Sequence, residues 1–155
     1  MNALLIKNAH IVNEGTIKVQ DVLIKGQRIE RIDSHIEATP AMQIIDAKGK
    51  YLLPGAIDDQ VHFREPGLTH KASIQTESRA AVAGGVTTFM EMPNTVPAAL
   101  TQDLLEQKYA IASACSPANY SFFMGVSNDN VEEVLKTNKK KQDICGIKIF
   151  MGSST

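Results

Sequence analysis

Between Pro54 and Gly67 the chain reads Pro-Gly-Ala-Ile-Asp-Asp-Gln-Val-His-Phe-Arg-Glu-Pro-Gly. From Ile57 to Arg64 polar and apolar types nearly alternate. Successive side chains of an extended strand point to opposite faces. The spacing therefore predicts Asp58, Gln60, His62 and Arg64 on one face and Ile57, Val61 and Phe63 on the other, with Asp59 as the exception. A row of acid, amide, imidazole and guanidinium makes better sense lining a site than facing bulk solvent. His62 is a good metal-ligand type, because imidazole is the commonest protein ligand for metals. A lone strand histidine is nevertheless more often a hydrogen-bonded core residue. The amide oxygen of Gln60 is a weak ligand for zinc, so the pair is poorer than two histidines at that spacing. Arg64 suits a substrate carboxylate, which its planar fork can grip through two hydrogen bonds. The ordinary alternative is an ion pair with Glu65 or Glu91. Asp58 reads as a group that orients its neighbours.

Two residues further along could join this row. Lys148 lies between Ile147 and Ile149, in a strand expected to be buried on both faces. A buried ammonium needs a carboxylate partner, a depressed pKa or chemical conversion. Conversion by carbon dioxide would make an anionic carbamate able to bind metals through oxygen. From this strand alone, the simpler reading is that Lys148 reaches the strand end and meets solvent or an aspartate. Asn94, after Pro93, is either a turn residue or a donor aimed at the same anion as Arg64. His10, His35 and His70 have no supporting context and read as surface or loop residues.

The surrounding pattern says which elements must hold these groups. Leu4–Ile6, Ile11–Val12, Val22–Ile24 and Ile29–Ile32 are short strand-like runs, with turn material at Asn13–Gly15 and Lys25–Gln27. A few short strands cannot close a core alone. After Ile57 the rhythm changes. A helix is expected over about Lys71–Ala83, with Ile74, Ser78, Ala81 and Val82 on one face. Strand follows at Val86–Met92. Thr101 caps a second helix carrying Leu104, Leu105, Tyr109 and Ala112 inward. Strand returns at Tyr120–Val126. A third helix opens at Asp129 with Val131, Val134 and Leu135 inward, and a fourth strand runs Ile144–Met151. Strand alternating with helix is the signature of a parallel α/β sheet, whose site sits at the C-terminal ends of the strands. His62, Arg64, Asn94 and Lys148 fall at or near such ends.

Composition narrows the classes. The 155 residues include 16 Lys and Arg against 17 Asp and Glu, for a formal net charge of -1, and 43% are apolar. A globular chain without a basic stripe carries no nucleic-acid footprint, and Lys139-Lys140-Lys141 reads as a solvated loop. Cys115 and Cys145 lack metal-ligand spacing and read as reduced core residues. The first residues are too short an apolar run for a signal peptide, and no stretch approaches the ~20 apolar residues of a membrane span. A cytoplasmic location without membrane contact is expected.

Taken together, these motifs resemble the cyclic amidohydrolases, most closely the dihydroorotases. Asp46–Asp58 is similar to that family's entry into its first barrel strand. Gln60-Val61-His62-Phe63-Arg64-Glu65-Pro66-Gly67 resembles its His-x-His-Leu-Arg-Glu-Pro-Gly signature. Gly84–Thr95 resembles its second-strand motif, and Gly146–Met151 the strand bearing its carbamylated lysine. The resemblance implies a partial (β/α)₈ TIM barrel, its first four strands in residues 54–155, preceded by part of a small β-sandwich in residues 1–53. It implies zinc, one or two ions, held by His62, Lys148 and the atypical Gln60. It implies Arg64 and Asn94 as the grip on a substrate carboxylate, and reversible hydrolysis of dihydroorotate to N-carbamoyl-L-aspartate in pyrimidine biosynthesis. The family's further histidine ligands and its acid–base aspartate lie on later strands. No catalytic residue is therefore assigned here, and this length alone is not expected to turn over substrate. Gln60 replaces a histidine, which leaves open a non-catalytic homologue serving as a structural partner, for instance of a transcarbamoylase, or a homo-oligomer. A hydantoinase or allantoinase type is the other alternative, although hydantoinases lack the arginine and allantoinases usually carry asparagine there.

Overall fold

A computed structural model describes residues 3–137 and 144–152; the Lys139-Lys140-Lys141 loop and the terminal Ser153, Ser154 and Thr155 lie outside the described residues. The chain divides into two compact units, Met1–Pro54 and Gly55–Thr155.

The first unit is one five-stranded sheet. It contains β1 (Ala3–Asn13), β2 (Thr16–Lys25), β3 (Arg28–Asp33), β4 (Met42–Asp46) and β5 (Tyr51–Leu52). The strands β1, β2 and β3 form an antiparallel meander, and β4 and β5 both run parallel to β1. Gly15 and Gly26 turn the hairpins at φ 72° and 59°, where glycine has no steric penalty. The runs Leu4–Ile6 and Ile11–Val12 belong to a single strand rather than two. What separates them is a register irregularity between Ile6 and Ala9, with Asn8 at φ 57°. Asn8 turns its N–H to Asp21 Oδ1 and its side-chain amide to Asp46 Oδ1, both at 3.0 Å, so the kink is fastened by polar groups. Leu5, Leu23 and Ile36 form the small core. His10 lies within β1, not in a loop, and its ring meets Tyr51 edge-on at 5.4 Å.

The second unit alternates strand and helix as expected: β6 (Ala56–Val61), α1 (Ile74–Ala83), β7 (Val86–Glu91), α2 (Gln102–Cys115), β8 (Asn119–Gly125), α3 (Val131–Thr137) and β9 (Ile144–Lys148). The sheet is parallel, in the order β6-β7-β8-β9. It is a half-barrel of the (β/α)₈ type. Phe63, Ile74, Phe89, Leu105, Ala112, Phe122 and Met124 make the core against α1 and α2. The rings of Phe63 and Phe89 lie 4.5 Å apart, and Tyr109 meets Phe122 edge-on at 4.9 Å. Each buried phenylalanine contributes about 1.5–3 kcal/mol.

Local chemistry moves several boundaries. Helix α1 starts at Ile74, not Lys71, because Ser73 Oγ accepts the Thr76 N–H and Thr76 Oγ1 accepts the Ser73 N–H, a reciprocal cap. Ile74 and Ser78 are buried as expected, but Val82 is exposed. Helix α3 departs most. Val131 and Leu135 face out, at 58% and 67% exposure. Val134 packs on the core as expected, but it is joined on the inner side by Glu133 and Thr137, because both hold Gln102 at the start of α2: Glu133 Oε2 accepts its N–H at 2.8 Å and Thr137 Oγ1 accepts its amide at 3.2 Å. Strand β9 ends at Lys148 and is not buried on both faces. It stands at the edge of the described sheet, with Ile147 and Ile149 exposed at 50% and 60%. Cys115 and Cys145 are free and only half-buried.

Candidate active site

The row expected along β6 is broken by a bulge. From Asp58 to Val61 the strand advances three positions while its partner advances two, Phe89 to Glu91, so one residue is extra on β6. Asp58 Oδ1 accepts the Gln60 N–H across this irregularity at 3.1 Å. Asp58 and Gln60 are exposed. The strand ends at Val61, three residues before the expected Arg64. Val61 and Phe63 pack on the core, which turns the intervening His62 away from it. Arg64 has left the extended conformation altogether, at φ 69°.

His62 meets Asn94 beyond the end of β7. Its Nδ1 lies 2.8 Å from Asn94 Oδ1. An amide oxygen only accepts, so Nδ1 is the donor in this contact. Asn94 and Arg64 both line a cavity of about 530 Å³, with Leu68, Val96, Ser127 and Phe150 among the other walls. Its rim is loops fastened to one another. The Val96 N–H donates to Pro66 O at 3.2 Å, and Gly67 packs so closely that a side chain there would strike the Val96 carbonyl. Asn130 does not cap α3 but ties three points of the rim, donating to Leu100 O and Gly125 O at 2.9 Å and accepting from Ser127 N–H at 2.8 Å. The Arg64 guanidinium makes no ion pair among the described residues. Glu65 is spent on the N-terminus of α1, where its Oε2 accepts the Ile74 N–H at 2.8 Å. Glu91 faces a different cation.

That cation, Lys108, is the residue sequence reasoning missed. It is 1% exposed and its Nζ lies 2.9 Å from Oε2 of Glu91, which is fully buried. The contact is at ion-pair distance without hydrogen-bond alignment, since Oε2 has no hydrogen-bond partner. Nζ also donates to Met92 O at 3.2 Å and sits 4.9 Å from the Phe122 ring centroid. Burial pushes the Glu91 carboxyl pKa up, opposed by Lys108 and by the Arg64 and Phe63 N–H groups. Burial likewise pushes Lys108 down, opposed by Glu91. The signal was available: Lys108 stands three positions after Leu105 and four before Ala112, on the apolar stripe of α2.

Lys148 is half-buried, with its Nζ 5.5 Å from the ring centroid of Phe150, a cavity wall. His62 touches Asn94, Asn94 shares the cavity with Arg64, and Lys148 stands beside the cavity wall Phe150. Gln60, His62 and Lys148 are not among the cavity walls. The described residues hold no cluster of three His, Cys, Asp or Glu. The donors present fit part of a metal centre. With Nδ1 donating to Asn94, a neutral His62 would have Nε2 available to ligate a metal. Gln60 offers a weak amide oxygen, and Lys148 can ligate only as a carbamate.

The half-barrel agrees with what the chain is similar to. A model of dihydro-orotase-like proteins matches residues 49–143. The chain is 35% identical over 150 residues to a dihydroorotase of Methanosarcina mazei, covering 97% of this chain and 32% of the relative. It is 46% identical over 112 residues to one from Streptococcus pyogenes serotype M3, covering 71% and 26%. Among solved structures, the L-hydantoinase (dihydropyrimidinase) of Arthrobacter aurescens superposes with a TM-score of 0.89 at 27% identity, over 98% of this chain and 34% of that one. The D-hydantoinase of Thermus sp. gives 0.79 at 34% identity, over 98% and 34%. The chain belongs to the dihydro-orotase-like family. It spans about a third or less of the length of these relatives.

Proposed function

We propose that this chain contributes the first barrel strands, in residues 54–155, and part of a β-sandwich, in residues 1–53, to a zinc-dependent dihydroorotase. The reaction is reversible hydrolysis of dihydroorotate to N-carbamoyl-L-aspartate, a step of pyrimidine biosynthesis in the cytoplasm. The observation that carries this reading is the Arg64 guanidinium, free of anions among the described residues, on the wall of the cavity that Asn94 also lines. Dihydroorotate bears a carboxylate, and an unpaired fork beside an amide is matched to it. Relatives in sequence are named dihydroorotases and the solved neighbours hydantoinases; an unsubstituted hydantoin ring offers Arg64 no carboxylate.

His62 through Nε2, carbamylated Lys148 and Gln60 are the residues of this chain proposed to hold zinc. When bound, zinc polarises the scissile carbonyl and lowers the pKa of a water. The chain's own residues do the rest of what is proposed here. Arg64 and Asn94 hold the carboxylate, and Asn94 keeps the His62 ring oriented. Leu68, Val96 and Phe150 shield the ring from water.

Gln60 favours a second reading, a non-catalytic homologue that supports a partner such as a transcarbamoylase. Metal analysis of the full-length protein with a substrate panel separates the two. Bound zinc, dihydroorotate turnover and loss of both in His62→Ala are expected. No metal and no turnover would leave the partner role. Rapid hydantoin cleavage with dihydroorotate untouched would discard the first reading for the hydantoinase type.

A further inference from the structure

Arg64 holds its backbone in the left-handed region, φ 69°, where a long L side chain is disfavoured. Something must hold it there. Its N–H donates at 3.1 Å to Oε1 of Glu91, a carboxylate with no solvent exposure. Glu91 in turn faces Lys108, which is itself anchored on Met92 O, two residues before Asn94. Glu91, from β7, thus holds the backbone of the loop after β6, while Lys108, from α2, braces Glu91 and the chain just past β7. Core packing alone does not call for them. An apolar pair of similar volume would fill the same space and often stabilises as well or better. What an apolar pair could not provide is an acceptor for the Arg64 N–H.

We propose that Glu91, braced by Lys108, is a positioning residue: it sets the left-handed turn at Arg64 and thereby aims the guanidinium into the cavity. The inference rests on the carboxylate-binding role of Arg64 proposed above. Glu91 touches no substrate in this account and acts only through Arg64.

Two double variants of the full-length protein test it. Glu91→Leu with Lys108→Met replaces the pair by apolar side chains and removes the acceptor. Glu91→Gln with Lys108→Met removes both charges and keeps an amide oxygen for the Arg64 N–H. The first is expected to raise KM for dihydroorotate about 10–100-fold with a smaller change in kcat, the scale of a displaced binding group. The second is expected to recover most of that KM. Equal KM in the two variants, raised or not, would overturn the proposal, because a merely structural pair does not discriminate by acceptor. Arg64→Ala is measured beside them. If it leaves KM unchanged, the carboxylate reading itself fails; if it raises KM and the Leu/Met variant does not, only the positioning role fails. Should neither double variant fold, hydrogen exchange of the Arg64 amide in the unaltered protein decides. Strong protection is expected, and exchange at the rate of an open loop would overturn the proposal.

Discussion

The side chains of His62 and Asn94, 32 residues apart in the chain, meet at 2.8 Å beyond the ends of two adjacent parallel strands. That contact joins an imidazole proposed to bind metal to an amide that lines the cavity proposed for substrate. On that reading one residue serves both halves of the site.

Asn94→Ala is expected to injure both. It removes a hydrogen-bonding group from a carboxylate, which costs about 1.5–3 kcal/mol, or about 10–100-fold in KM for dihydroorotate. It also frees the His62 ring, so bound zinc should fall in the same preparation. Steady-state kinetics and metal analysis read the two effects separately. Unchanged KM with full metal content would remove Asn94 from the site.

Gly67 packs the loop after β6 onto the loop after β7. Its φ is 84°, and a Cβ would collide with the Val96 carbonyl. Gly85 provides the comparison, since its φ is 90° but open space surrounds it. Gly85→Ala should cost only the left-handed backbone penalty, about 1–2 kcal/mol. Gly67→Ala should cost clearly more and also weaken substrate binding, because the cavity rim must shift. Urea midpoints of the two variants settle the order; equal midpoints would mean the loops yield freely.

The first unit should lose stability in acid through Asp21. Burial alone would raise its carboxyl pKa, but the Asn8 and Ile36 N–H groups, each donating at 3.0 Å, outweigh it together with Lys7, and the pKa is lowered. A group whose folded pKa lies below its unfolded value contributes stability above the unfolded value and loses it as pH falls through the folded one. Hydrogen exchange at the Asn8 and Ile36 amides should therefore accelerate as pH drops below the ordinary aspartate range, after correction for intrinsic rates. Asp21→Asn should flatten that dependence. Asp33 and Asp46 are also lowered, but Asp46 is exposed and Asp33 only partly buried, so solvent screens their share. A slope unchanged in Asp21→Asn would assign the acid sensitivity to them.

Order and type of the elements in the second unit were legible because apolar spacing at 2 and 3.6 residues is a local property. Strand β7, helix α2 with its Thr101 cap, and strand β8 follow that pattern closely. The inward face of α3 was legible only at Val134. Val131 and Leu135 have the apolar character of a buried stripe, yet Glu133 and Thr137 won the inner side by bonding to Gln102, about 30 residues away in the chain.

By itself, the sequence determined the family, the α/β rhythm and the residue types Arg64, Asn94 and His62 proposed for the site, since motif and periodicity are written in neighbouring positions. Only the tertiary structure decided how those residues are aimed. The bulge at Asp58–Val61 ended the strand early and the left-handed turn at Arg64 redirected its side chain. Both answer to partners across the sheet, Phe89 and Glu91, and Glu91 answers to Lys108 on α2. A strand's alternation can be counted along the chain, but a buried carboxylate chooses its hydrogen-bond donors only once three separate elements have closed around it.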